Sequence, residues 1–188
     1  MATTLDLSFS ILLLLILLLS PLLQTTQADK NDLVRSSCVH ASYPDICLRT
    51  LSSYGGSAST PRDLALAAVR VSIARVRRAS DFLSNLKGIA RRERGALTDC
   101  VEQMGDSVEE LSKTLSALKN LRRGGDFRWQ MSNAETWVSA ALSNEETCLD
   151  GFKDISGHVR SDVRRSMTNV ARVTSNALYL INLLDGRR

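Results

Sequence analysis

Histidine is nearly missing: His40 and His158 are the only two in 188 residues, and neither stands in a cluster with metal-ligand spacing. No CxxC pair occurs, so a structural zinc site has nothing to build on. A G-x-S-x-G elbow, a P-loop and an H-E-x-x-H pair are also absent, which removes the usual hydrolase, phosphate-cradle and zinc-peptidase constellations. Both histidines are expected to be ordinary surface or capping residues, His40 in a short hairpin and His158 at the start of the last helix. Carboxylates are plentiful, as on any solvated helical surface. An enzyme is the disfavoured class, and no metal or cofactor is expected.

Strand signals are nearly absent too: there is no alternating apolar run and no Asn-Gly or Asp-Gly hairpin turn between apolar stretches. The Asp-Gly pairs at 150–151 and 185–186 fall instead at helix ends, where glycine belongs. No N-x-[ST] sequon occurs, so N-glycosylation is not expected. The segment "ILLLLILLLS" at 11–20 holds nine consecutive apolar residues, too short for a spanning helix of about 20. Ala28, with Thr26 two positions earlier, fits a signal-peptidase site before Asp29. Residues 1–10 carry Asp6 and no Lys or Arg, which is unusual for a leader. A retained anchor is the alternative, disfavoured because no second apolar run follows.

The expected organisation is therefore a cleaved secretory signal over 1–28, a small helical hairpin and linker over 29–59, and a bundle over 60–188. Residues 29–188 make one domain of ordinary size. Removing the leader takes away one acid and no base, so the net charge moves from +4 to +5. Within the bundle the clearest pattern is Leu97, Val101, Met104, Val108, Leu111, Leu115 and Leu118. Its alternation of four and three residues is the seam of a helix packed lengthwise on others. An earlier helix starts near residue 61, with Thr60 to cap, Pro61 in the first turn and Asp63 at the positive end. Its inner side reads Leu64, Ala68, Val71, Ala79, Phe82 and Leu86. A third helix runs from about Asp126 to Phe152, and a fourth from about Val159 to Leu184. The fold class is all-α: an up-down-up-down four-helix bundle preceded by a short N-terminal helical hairpin. Alanines at 67, 68, 74, 140 and 141 let backbones approach closely, leaving little internal space for a ligand.

Four cysteines, Cys38, Cys47, Cys100 and Cys148, allow three pairings in a secreted chain. Cys100 lies 24 residues before Gly124 and Cys148 lies 24 after it. Folding two antiparallel helices at that glycine brings the two cysteines level. Cys38 and Cys47, on either side of Pro44, then close the small hairpin. Geometry thus favours Cys38–Cys47 with Cys100–Cys148.

"CVHASYPDIC" at 38–47, "ALTDCVEQMGDSVEEL" at 96–111 and "TWVSAALSNEETCLDGF" at 136–152 together resemble the plant pectin methylesterase inhibitor and invertase inhibitor family. The pairing of W-x-S-A-A-L with TCLDGF is the most specific of the three. The resemblance implies a secreted, free-standing inhibitor of the apoplast and cell wall, without the esterase domain to which similar regions are sometimes fused. It also implies the same cysteine pairing, first with second and third with fourth. Invertase inhibitors of this kind often carry a Pro-Lys-Phe tripeptide where this chain has "GGDFR" at 124–128. The resemblance therefore points to pectin methylesterase as target, with acid invertase as the alternative. A non-inhibitory structural or ligand-binding bundle is the rival from another class.

Between the seam residues of the second long helix, Glu102, Asp106 and Glu109 fall on one outward face at spacings of four and three. The Cys100–Cys148 bond is expected to set Thr147 and Asp150 beside the first turn of that stripe. Glu102, Asp106, Thr147 and Asp150 match in type the acidic and polar positions that similar inhibitors lay against the enzyme cleft, and Glu109 is one methylene longer than the aspartate often found at its position. These five residues are the expected contact set in a 1:1 complex with pectin methylesterase. A second expectation comes from the arginines: "RVRR" at 75–78, "RRER" at 91–94, doublets at 122–123 and 164–165, and the terminal "GRR" form a basic periphery. That periphery suits acidic pectin, a polyanion, with strong salt dependence. Nucleic acid is not expected as a partner of a secreted chain, nor a membrane once the leader is removed.

Overall fold

The structure, a computed structural model, describes residues 32–54, 58–87, 89–122 and 124–186. The leader expected over 1–28, most of the glycine-serine link and the terminal arginine pair lie outside the described residues. A short helix α1 at 32–38 and helix α2, Pro44–Tyr54, form the preface. Pro44 takes the first position of α2, where its missing N–H costs nothing and its fixed φ suits the turn. The Cys38–Cys47 disulfide closes this hairpin, with its Cα atoms 5.6 Å apart. Asn176 then holds the hairpin to the bundle. Its Oδ1 accepts from the Tyr43 backbone N–H and its Nδ2 donates to the Tyr43 carbonyl, both at 2.9 Å.

Four long helices follow: α3 Pro61–Ser84, α4 Arg91–Lys119, α5 Phe127–Asp150 and α6 His158–Asp185. Helix α3 begins on a capping box. The Thr60 hydroxyl accepts from the Asp63 N–H at 3.1 Å, and the Asp63 carboxylate accepts from the Thr60 N–H at 3.0 Å. The Thr60 hydroxyl also donates to that carboxylate at 2.8 Å, and this hydrogen bond is the largest influence holding Asp63 below its ordinary pKa. Arg62, one residue earlier, reaches across to the end of α4. Its Nε donates to the Leu118 carbonyl at 2.8 Å and its Nη2 to the Lys119 carbonyl at 2.6 Å, satisfying acceptors that a helix end leaves open.

Helix α4 starts at Arg91, six residues before the first seam residue, Leu97. Only half of a capping box forms there, with Glu93 accepting from the Ala90 N–H at 3.0 Å; alanine has no side-chain acceptor to return. Gly124, at φ +119°, and Gly157, at φ +111°, make the turns into α5 and α6. Both φ values lie in a region that only glycine adopts without strain. The Asp-Gly glycines behave differently. Gly151 and Gly186 follow their helices at φ −58° and −75°, open to any residue.

Helix α4 packs on α3 and α5, and α6 packs on the same two, so α4 and α6 occupy opposite corners. The α4–α5 pair keeps the register centred on Gly124. Cys100 bonds Cys148 with Cα atoms 4.5 Å apart, and the Thr114 hydroxyl lies 3.5 Å from the Ala134 carbonyl. Both pairs are symmetric about Gly124, by 24 and by ten residues.

Two readings of buried faces are corrected. Phe82, expected inside, is 45% exposed, and its neighbour Leu83 is fully buried in its place. On α4 the fully buried set is Leu97, Cys100, Met104, Ser107, Leu111, Thr114 and Leu118. Val101, Val108 and Leu115, expected as seam residues, are only half-buried. Apolarity marked one edge of the face; its other half is polar or sulfur-bearing and packs on α5.

Candidate functional site

Glu102, Asp106 and Glu109 are all exposed on the outward side of α4. Among the described residues, neither Glu102 nor Asp106 has an ion-pair partner. Glu109 does: Lys113 Nζ lies 2.9 Å from its Oε1 and 3.0 Å from Glu110 Oε1. The stripe is therefore most negative around Glu102 and Asp106 and fades toward the end of α4. Thr147 is exposed next to the disulfide, its hydroxyl donating to the Ser143 carbonyl at 2.8 Å. Asp150 is exposed and ion-paired to Lys153 at 2.9 Å. It borders a surface cavity of about 270 Å³ that Arg160 and Arg164 of α6 also line. Exposed pairs of this kind are weak because water screens them, so either carboxylate can exchange its lysine for a partner's donor.

The disulfide is the anchor of this face. It joins α4 and α5 in their overlapping register, and no cysteine remains free among the described residues. Closing a loop of 48 residues stabilises the fold by roughly 4 kcal/mol on the chain-entropy account.

A carboxylate that the sequence reading passed over lies behind this face. Glu145 is 0% exposed. Its Oε1 accepts from the Ser107 hydroxyl of α4 at 3.0 Å and from the Thr174 hydroxyl of α6 at 2.8 Å. Its Oε2 is buried without a partner. Desolvation raises its pKa from 4.5 to about 7, against the two hydroxyl hydrogen bonds. One polar knot thus ties three helices. The signal was present in the spacing: Met131, Ala134, Val138, Ala141, Glu145 and Cys148 alternate by three and four along one buried face of α5. Glu145 sits on that face in a seam position.

His40 and His158 are exposed, the latter at the first position of α6. Among the described residues no group of three His, Cys, Asp or Glu side chains is placed to hold a metal ion. A cavity of about 660 Å³ opens where α3 begins and α4 and α6 end, lined in part by Thr60, Asp63, Leu66, Leu121 and Leu184. Its hydroxyl–carboxylate pair is the capping box. No helix among the described residues is long and apolar enough to cross a membrane.

The profile of a family described as plant invertase/pectin methylesterase inhibitor matches residues 32–180. The chain belongs to that family. The match contains both disulfides, the knot at Glu145 and the whole exposed acidic face. It places the protein in a family of inhibitors rather than of enzymes. Among its relatives, pectinesterase inhibitor 3 of Arabidopsis thaliana is 53% identical over 167 residues, covering 84% of this chain and 82% of that one. A 21 kDa protein of Daucus carota is 41% identical, covering 88% of this chain and 90% of the relative. A crystal structure of a mutant form of an Arabidopsis pectin methylesterase inhibitor superposes with a TM-score of 0.64. At 22% identity, over 78% of this chain and 93% of that one, this likeness shows the shared inhibitor-family fold.

Proposed function

We propose that the protein is a secreted inhibitor of plant pectin methylesterase that covers the enzyme's pectin-binding cleft in a non-covalent 1:1 complex. The observation that carries the reading is the exposed, disulfide-braced α4–α5 face, with Glu102 and Asp106 free of ion pairs, in a chain 53% identical to a pectinesterase inhibitor. Glu102, Asp106, Glu109, Thr147 and Asp150 form the contact set. The complex needs no covalent step: shape excludes the polysaccharide, and carboxylates meet donors at the cleft. A braced face loses little conformational freedom on docking, which favours affinity. Secretion follows from cleavage after Ala28 and places the inhibitor in the apoplast, where it restrains de-esterification of wall pectin. There its basic face also meets acidic pectin.

Titrating the purified protein into pectin methylesterase and, separately, into acid invertase tests the target. Inhibition of the esterase alone is expected. Inhibition of invertase alone would transfer the reading to the other branch of the family, and inhibition of neither would leave a structural bundle.

A further inference from the structure

Two of the arginine groups that lie far apart in sequence, at 75–78 and 164–165, come to neighbouring places on one side of the bundle. A cavity of about 540 Å³ between α2, α3 and α6 is lined by Arg49, Arg75 and Arg78, together with Thr50, Ser53 and Asn169. A second, of about 550 Å³ along α6, is lined by Arg164, Arg165 and Arg172 and shares Asn169. The two therefore adjoin at Asn169. Six guanidinium groups line them, and among the described residues no carboxylate does. The nearest acidic compensation among the ion pairs is Asp162, 3.7 Å from Arg165. Arg75 Nε is buried with no acceptor. Arg172 lies over the Tyr43 ring at 5.3 Å, so the hairpin forms part of the wall.

We infer that this arginine-lined face is a binding surface for a linear polyuronate: demethylated pectin, its carboxylates held by the arginines and its hydroxyls by the Ser, Thr and Asn side chains between them. Six cations spread along two adjoining cavities match repeated charges on a chain, where a single small anion would need them converged. Guanidinium groups pair carboxylates through two parallel N–H donors. Single-stranded nucleic acid is a poorer match, because it asks for aromatic platforms and the ring at hand is covered by Arg172. The choice of pectin rests on the proposed function, which sets the protein beside that polymer. The surface includes the α6 corner, and the Glu102–Asp106 stripe belongs to α4 at the opposite corner. The polymer's seat is thus away from Glu102 and Asp106 and meets the esterase contact set only where Arg164 shares a cavity with Asp150.

The test is affinity electrophoresis and calorimetry of the disulfide-bonded protein with polygalacturonate, fully methyl-esterified pectin and phosphatidylserine vesicles. Binding to polygalacturonate alone is expected, and it should weaken steeply with salt. The variant Arg75→Gln/Arg78→Gln/Arg172→Gln should bind about tenfold or more weakly, while Arg94→Gln/Arg122→Gln, which removes exposed arginines elsewhere, should bind like the parent. Circular dichroism and unchanged esterase inhibition establish that the triple variant is folded. No binding at low salt, an equal loss in both variants, or equal binding to the vesicles would overturn the binding surface. Polygalacturonate binding by a protein that inhibits no esterase would leave the binding surface standing and remove the inhibitor reading.

Discussion

Glu145 is a carboxylate where a core position ordinarily asks for an apolar side chain. Its two hydroxyl partners, Ser107 and Thr174, satisfy one oxygen and leave the other bare, so the protonated acid is the form that the interior tolerates. The sign of the pH effect follows. With the folded pKa raised from 4.5 to about 7, the folded state holds the proton more tightly than the unfolded chain. The associated stability is complete below about 4.5 and is lost as pH rises through about 7. A shift of this size corresponds to roughly 3 kcal/mol. Denaturant midpoints should fall between pH 5 and pH 8, and Glu145→Gln should flatten that dependence. A parent whose stability is level across this range would contradict the account. Glu145→Ala should cost about 2–4 kcal/mol at pH 5, through a cavity and two hydroxyls deprived of their acceptor.

At the level of the helices, ends and crosslinks carry the argument. The Thr60–Asp63 box starts α3, and Arg62 closes the end of α4. Thr60→Ala should cost about 1 kcal/mol. Because Thr60 lowers the Asp63 pKa, this part of the stability is present above pH 3.8 and disappears as pH falls through the lower folded value. The variant should therefore unfold less steeply with acid than the parent, as read by far-UV circular dichroism. Removing the longer staple with Cys100→Ala/Cys148→Ala should cost up to roughly 4 kcal/mol and leave the hairpin disulfide in place, as peptide mapping would show. The element pattern was largely legible in sequence because capping residues, glycines and three-four spacing act locally. The rotated buried face of α4 was not. Ser107 and Thr114 become core residues because Glu145 and the Ala134 carbonyl of α5 stand opposite them.

Across the whole molecule, charge is divided between corners: carboxylates without an ion pair among the described residues on α4, and two adjoining arginine-lined cavities on the α2–α3–α6 side. Reversing Glu102 and Asp106 to lysine should weaken esterase inhibition about tenfold or more without lowering the melting temperature. Undiminished inhibition by a folded double variant would remove both residues from the contact. Local rules determined much of this protein from its sequence alone. The helices, the glycine-centred register and hence the Cys100–Cys148 bond follow from periods and turns that need no distant partner. Only the tertiary structure decided which carboxylate is buried, which exposed acids already hold a lysine, and that arginines from three helices line two adjoining cavities. Those properties depend on what packs opposite a side chain, and one strand of sequence does not contain its own neighbours.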